Sequence, residues 1–358
     1  MSAPATPGAA VPSLWQPYTH RSHPEAERAG KESLAWLGSF DIAWQPGHFD
    51  TIRSENAGYW WNLFDPGAKD YERYRLGVDF ISALYPFDDT YSGPYACASP
   101  AEAVAWAGQW MRLLDDPRFA VRCGHPFSAP LIDVMRRAAA MATPVQYRRF
   151  ADAVKAYVTS LAWEFAGQDR SVRQRVAEAA ACRFYTSGCT GIVGILHVSH
   201  DLDISDETFH HPLWRAYTEA AVLILALYND LYSYAREQAD TPDDVNILAA
   251  AVAEGRGDLR RGLGRVVTLH NQAMERVVHL GARLKKHHPA QARAYTQAIE
   301  EMLAGNLVFG RTATRYHGGE PALPPYTLTT TPPPTIGTIE IPTFAWWWDT
   351  GRAAPRTG

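Results

Sequence analysis

Residues 213–237, LWRAYTEAAVLILALYNDLYSYARE, read as a long apolar helix whose last turns carry an amide, a hydroxyl and two carboxylates. Asn229, Ser233 and Glu237 fall at i, i+4 and i+8, so a helix points them in nearly one direction. Three hard oxygen ligands on one face suit magnesium. A helix leaving the core and turning polar would show the same residues. Elsewhere strand signals are scarce, and apolar patterns of period 3.6 bounded by Pro, Gly and Asp recur from residue 24 to about residue 314. The expected fold is all-α. Helices are expected near 24–37, 54–64, 71–87, 100–114, 126–140, 144–167, 171–186, 190–198, 213–238, 244–254, 258–286 and 289–313. Proline stands at or near several of these starts, where its missing N–H costs nothing.

The chain's 358 residues, 46% of them hydrophobic, suffice for one large core. A net charge of -4 without runs of like charge gives no basic field for nucleic acid. Cys97, Cys123, Cys182 and Cys189 form no CxxC pair, which fits a reducing cytoplasm. The longest apolar run, 220–228, falls far short of the roughly 20 residues that cross a bilayer. Residues 1–20 begin without the basic and apolar regions of a signal peptide, so they are expected to be a disordered lead to a helical domain at 21–316. Residues 317–358 are expected to be a tail, of which 318–342, rich in Pro, Thr and Gly, cannot be helical. Its aromatic end, Phe344-Ala345-Trp346-Trp347-Trp348, could fold back over an opening, contact a second subunit or pack loosely.

The expected helix at 71–87 ends in Tyr85-Pro86-Phe87-Asp88-Asp89. Adjacent carboxylates beside an apolar, aromatic helix are costly unless a cation is present. Asp-Asp is also a common helix end. Asp88 and Asn229 lie 141 positions apart. This separation and the pattern Asn229-Asp230-x-x-Ser233-x-x-x-Glu237 resemble the two metal motifs of bacterial class I terpene synthases. The resemblance covers about residues 24–316. It implies an all-α barrel in which both motifs face each other across the mouth of an aromatic-lined cavity, with three magnesium ions between them binding an isoprenyl diphosphate.

By resemblance, Asp88 is a bridging metal ligand, and Asp89, which could also bind metal, more often holds an arginine. The family usually carries a third acidic residue here, whereas Ser92 and Gly93 follow in this chain. Arg183, 46 positions before Asn229, resembles the diphosphate-sensing arginine. Arg236 resembles the basic residue of the second motif, and Arg315-Tyr316 the C-terminal Arg-Tyr pair that follows a Gly305-Asn306 segment, with Phe309 where tryptophan is common. Arginine suits such sites because its planar fork binds phosphate oxygens in pairs. Ser187 matches the residue whose backbone carbonyl faces the allylic end of the substrate, with Gly188 permitting a helix break. Phe80, Phe87, Tyr91 and Phe309 are candidate lining aromatics, with Trp60 and Trp61 as weaker ones.

The implied reaction is magnesium-dependent ionisation of farnesyl or geranylgeranyl diphosphate followed by carbocation cyclisation to a sesquiterpene or diterpene. The rivals are a chain-elongating isoprenyl diphosphate synthase, which would carry a second aspartate-rich motif, and a non-catalytic isoprenoid-binding protein. His197, His200 and Asp201 have spacing that could hold zinc but also read as a polar helix end. A homodimer is the default expectation.

Overall fold

A computed structural model describes residues 11–91, 95–118, 123–166, 175–241, 244–317 and 326–350. In chain order it runs β1 (Leu14–Trp15), α1 (Ala26–Gly38), α2 (His48–Glu55), α3 (Ala57–Phe64), α4 (Tyr71–Asp88), α5 (Pro100–Asp115), α6 (Ser128–Met141), α7 (Pro144–Ala166), α8 (Val176–Thr186), α9 (Cys189–Ser199), α10 (Asp206–Phe209), α11 (Pro212–Asp240), α12 (Ile247–Glu254), α13 (Leu259–His287), α14 (Pro289–Thr312), α15 (Thr314–His317), β2 (Leu328–Thr329) and α16 (Pro342–Ala345), with a 3-10 turn at Trp346–Trp348. The expected all-α fold is what forms.

The central helix is α11. Every side chain from Ala220 to Tyr228 is buried, as a helix apolar on all sides requires. It packs against α8, α9, α12, α13 and α14. Local chemistry sets the starts: Pro100, Pro212 and Pro289 open their helices, Ser99 and Glu102 form a capping box, and Asn246 Oδ1 accepts from Leu248 N and Ala249 N. At Gly305 a Cβ would stand 1.7 Å from the Leu63 carbonyl oxygen, so only glycine lets α14 approach the end of α3 this closely.

Two expectations need correction. The single helix expected at 54–64 is two, because Asn56 adopts a left-handed conformation (φ 46°) that ends α2, while its Oδ1 accepts from Tyr59 N at 3.3 Å. The expected disordered lead is not uniformly so. Residues 1–10 lie outside the described residues, but Leu14–Trp15 pairs in parallel with Leu328–Thr329, and Trp15 N donates to Asn271 Oδ1 at 2.9 Å. Burial of Leu14 and Trp15 in the main core drives this, and a two-residue strand has no period to detect.

The aromatic tail folds back on its own chain. Trp347 is fully buried and its Nε1 donates to Glu219 Oε2 at 3.0 Å, Arg276 stacks 4.7 Å over Trp348, and Phe344 lies 5.9 Å from Phe184. Removing so large a buried side chain leaves a cavity. Trp347→Ala is expected to cost about 3–5 kcal/mol of stability in urea unfolding; a variant as stable as the parent would show that the tail does not brace the bundle.

Candidate active site

One end of α4 supplies the acidic side of a cavity of about 240 Å³ that is also lined from α3, α7, α8, α9, α11, α14 and α15. Pro86, about half a turn before the end of α4, cannot donate to the backbone carbonyl of Ser82, and the helix stops two residues later at Asp88. Asp88 Oδ1 accepts from Tyr157 Oη at 2.6 Å. Burial raises the Asp88 pKa above the ordinary carboxylate value, and neighbouring Asp89 adds to the rise. Asp89 behaves oppositely: burial would raise it, but Arg315, at 3.1 Å, and His48 Nε2, at 3.2 Å, hold it below the ordinary value. Arg315 also donates to Glu55 Oε2 at 2.7 Å and lies 4.7 Å over the Tyr85 ring.

The end of α11 supplies the facing side. Asn229, Glu237 and Arg236 line the cavity, while Ser233 is buried and its Oγ donates to the Asn229 carbonyl at 2.8 Å. Arg183 on α8 donates to Asn229 Oδ1 at 2.6 Å and Asp230 Oδ1 at 2.8 Å. Asp230, absent from the expected site, is fully buried and also accepts from Ile247 N at 2.5 Å. Glu237 Oε2 accepts from Asn246 Nδ2 at 2.8 Å. Asn229 Nδ2 in turn donates to Tyr316 Oη at 3.3 Å. The consecutive residues Arg315 and Tyr316 therefore join the two motifs, one through Asp89 and the other through Asn229.

The geometry has counterparts. Residues 79–276, more than half of the chain, match the sequence model of terpene synthase family 2, C-terminal metal binding. The chain belongs to this family. It is 26% identical to bonnadiene synthase of Allokutzneria albata over 95% of this chain and 97% of that protein. It is 24% identical to the 4-epi-cubebol synthase of Streptosporangium roseum, over 86% and 92%. The crystal structure of SVS_A2, a protein from ancestral sequence reconstruction, superposes with a TM-score of 0.78 at 25% identity, covering 95% of this chain and 98% of that one.

A terpene synthase of this family uses a divalent metal, and the residues present fit one. Asp88, Asn229, Ser233 and Glu237 offer the hard oxygens such a cation takes. Partly buried acids crowd together here, the condition that a cation relieves: burial and the charges of Glu237 and Asp88 push Asp244 up to about 6, and burial pushes Glu164 up to about 7. Their folded values exceed the ordinary 3.8 and 4.5, so the folded protein holds protons that the unfolded chain releases. Metal-free stability is therefore expected to be greatest below about pH 4 for these groups and to fall as pH rises through about 6 to 7. Thermal unfolding across that range reads the effect; a midpoint insensitive to pH would contradict the buried acids.

Ser187 and Gly188 form the expected break between α8 and α9, with Gly188 left-handed at φ 73°. The Ser187 carbonyl accepts from Cys189 Sγ at 3.7 Å. Tyr91 and Phe309 line the cavity, but Phe80 and Phe87 do not. Phe80 packs on Phe150 and Phe87 stacks on His125 at 4.1 Å, both in the core behind α4. Trp60 and Trp61 also lie outside the lining. The cavity stripe of α4 is instead Ile81, Leu84, Tyr85 and Asp88. Counting back from Asp88 by helical periods would have found it. Tyr157, Leu161 and Glu164 form a similar stripe on α7, where no motif gives a starting point. The zinc pattern disperses: Arg149 contacts His197, Asp65 binds His200, and Lys69 and Gln146 bind Asp201. Ser92 and Gly93 lie outside the described residues.

Proposed function

We propose that this protein is a class I terpene cyclase that ionises farnesyl or geranylgeranyl diphosphate with three magnesium ions and closes the allylic cation into a cyclic sesquiterpene or diterpene, releasing diphosphate. The observation that carries this reading is the Arg315-Tyr316 bridge, which draws the acidic end of α4 and the Asn229 edge of α11 to one cavity mouth. Asp88, Asn229, Ser233 and Glu237 hold the metal, with Asp89 serving mainly to fix Arg315. Bound magnesium supplies Lewis-acid stabilisation of the departing diphosphate.

The protein's own residues do the rest. Arg183, Arg236 and Arg315 donate to diphosphate oxygens, with Tyr316 beside them, where charge develops. Arg183 leaves Asn229 Oδ1 for this, which also frees that oxygen. The Ser187 carbonyl turns its negative end toward the allylic carbons, and the faces of Tyr91 and Phe309 stabilise cationic centres without reacting. An apolar wall excludes the bulk water that would quench the cation early.

Residues 21–316 form the catalytic domain, working in the cytoplasm as a homodimer. The four free thiols accord with that compartment, and no helix among the described residues is long and apolar enough to cross a membrane. The test is incubation with geranyl, farnesyl and geranylgeranyl diphosphate, with and without magnesium, and gas chromatography–mass spectrometry of the extract. A magnesium-dependent cyclic product supports the reading. Longer linear diphosphates formed on adding isopentenyl diphosphate would replace it with chain elongation, and no product with a binding role.

A further inference from the structure

One wall of the cavity is held from outside by the C-terminal tail. Tyr232, on α11 between Asn229 and Ser233, lines the cavity with its ring 5.9 Å from that of Tyr316, which in turn lies 5.5 Å from Phe309. Its hydroxyl leads away from the lining: it donates to the Leu307 carbonyl at 3.2 Å and accepts from Tyr326 Oη at 3.4 Å, and neither of those residues lines the cavity. At Gly310 a Cβ would stand 1.8 Å from the Tyr232 ring, so α14 passes flush against it and only glycine leaves the room. The ring cannot move toward α14, and at its tip it meets the tail.

The tail is itself anchored at that point. Tyr326 is half-buried and stands two residues before β2. Leu14 N donates to the Thr327 carbonyl at 2.8 Å, Ser13 Oγ and Thr327 Oγ1 lie 2.7 Å apart, and Trp15 Nε1 donates to the Thr330 carbonyl at 3.2 Å. Asn271 on α13 clamps the paired strand β1, accepting from Trp15 N and donating to the Ser13 carbonyl at 3.0 Å. Gln16 Nε2 donates to Tyr228 Oη at 3.1 Å, one turn before Tyr232 on α11. The segments near both ends of the chain are thus tied to the same turns of α11. A side chain takes whichever staggered rotamer its surroundings leave open, and a phenol pressed on one face and met at its tip has little choice.

We propose that Tyr326 of the tail is a positioning residue that sets product selectivity: acting through Tyr232, it holds that ring as a fixed wall against the folded isoprenoid chain. This rests on the cyclase reading above. An allylic cation closes on the double bond that the cavity holds in reach, so the position of the wall decides between competing ring closures. One methylene in an apolar pocket is worth about 10–200-fold in discrimination, and a wall that yields by that much loses selectivity of that order. Tyr326 stands outside the cavity and touches no part of the substrate; the paired strands β1 and β2 fix Tyr326, Tyr326 fixes Tyr232, and Tyr232 shapes the space in which the cation folds.

The test is the product profile of the full-length protein and its Tyr326→Ala variant, each turning over the accepted isoprenyl diphosphate with magnesium, read by gas chromatography–mass spectrometry. The wild-type protein is expected to give one main product. Tyr326→Ala is expected to lower the ratio of that product to all other terpenes at least about tenfold, and Leu14→Pro, which deletes the N–H bonded to Thr327, to move the ratio in the same direction. The ratio is internal to each sample, so a purely structural role for Tyr326, which lowers the amount of folded enzyme, leaves it unmoved; Tyr326→Leu gives the same reading if the alanine variant fails to fold. A wild-type protein that already yields a broad mixture would overturn the fixed wall and leave the cyclase reading standing, as would an unchanged ratio or a loss of all turnover in a folded Tyr326 variant. No turnover of any isoprenyl diphosphate by the wild type would overturn both.

Discussion

Arg183→Ala is expected to abolish turnover and to weaken the fold together. Arg183 has two duties in the structure. Its Nε donates to Asp230, and its Nη2 reaches Asn229 at the cavity. Burial already raises the Asp230 pKa to about 6, and Arg183 is the charge that limits the rise. Without it a carboxylate with no solvent exposure is left unpaired, which costs about 3–5 kcal/mol. The lost diphosphate donor removes a further factor of about 10²–10³ in turnover. Asp230→Asn in the same chain separates the two duties. The amide can still accept from Ile247 N and carries no charge, so most of the stability should return in urea unfolding while product formation stays lost. Recovery of activity in the double variant would remove Arg183 from the chemistry, and undiminished stability in the single variant would contradict the buried pair.

The double duty of Arg183 marks a limit of what residue order discloses. Asn229, Ser233 and Glu237 were legible because one helical period places them on one face. Asp230 sits roughly a quarter turn away, facing α8 and the start of α12. Its role depends on which helices pack there. Phe80 and Phe87 illustrate the same gap. The helix α4 is buried on nearly every side, so aromatic character there does not distinguish cavity from core. Glu55 and His48, which steady Arg315 and Asp89, lie on the short α2, of which the helix expected at 54–64 took in only the last two residues. Nothing local marks them, because their partners are distant in sequence. The tail was legible as aromatic, but only the packed structure shows Trp347 bonded to Glu219 on the outer side of α11.

The acids of the cavity also have unequal roles. Asp89 is matched by Arg315 and His48, so its charge is compensated within the protein. Asp88 has a tyrosine hydroxyl and a like charge beside it, and its pKa moves the other way. Adjacent residues in one helix end thus differ: Asp89 is ion-paired within the protein, whereas Asp88, a metal ligand in the proposed reading, bonds the Tyr157 hydroxyl. That division also accounts for the joint between the motifs: Arg315 is held by Asp89 and Glu55, which leaves Tyr316 placed to meet Asn229.

Glu237→Gln isolates the charge of the facing edge. Glu237 Oε2 accepts from Asn246 Nδ2, and Asn246 also caps α12 and donates to the Asp230 carbonyl. Glutamine has nearly the same shape and keeps an oxygen to accept that bond, so the α11–α12 corner should persist and thermal unfolding without metal should change by little. One formal negative charge is lost from the cavity mouth. Amide oxygens bind divalent cations more weakly than carboxylates, so magnesium should be required at markedly higher concentration and turnover should fall by about 10²–10³. Removing the charge also relieves Asp244, whose pKa Glu237 helps to raise. The decline of metal-free stability with rising pH should accordingly shrink in the variant. A magnesium dependence equal to that of the parent would remove Glu237 from the metal site, and an unchanged pH slope would show that burial alone, without repulsion from Glu237, holds the Asp244 proton.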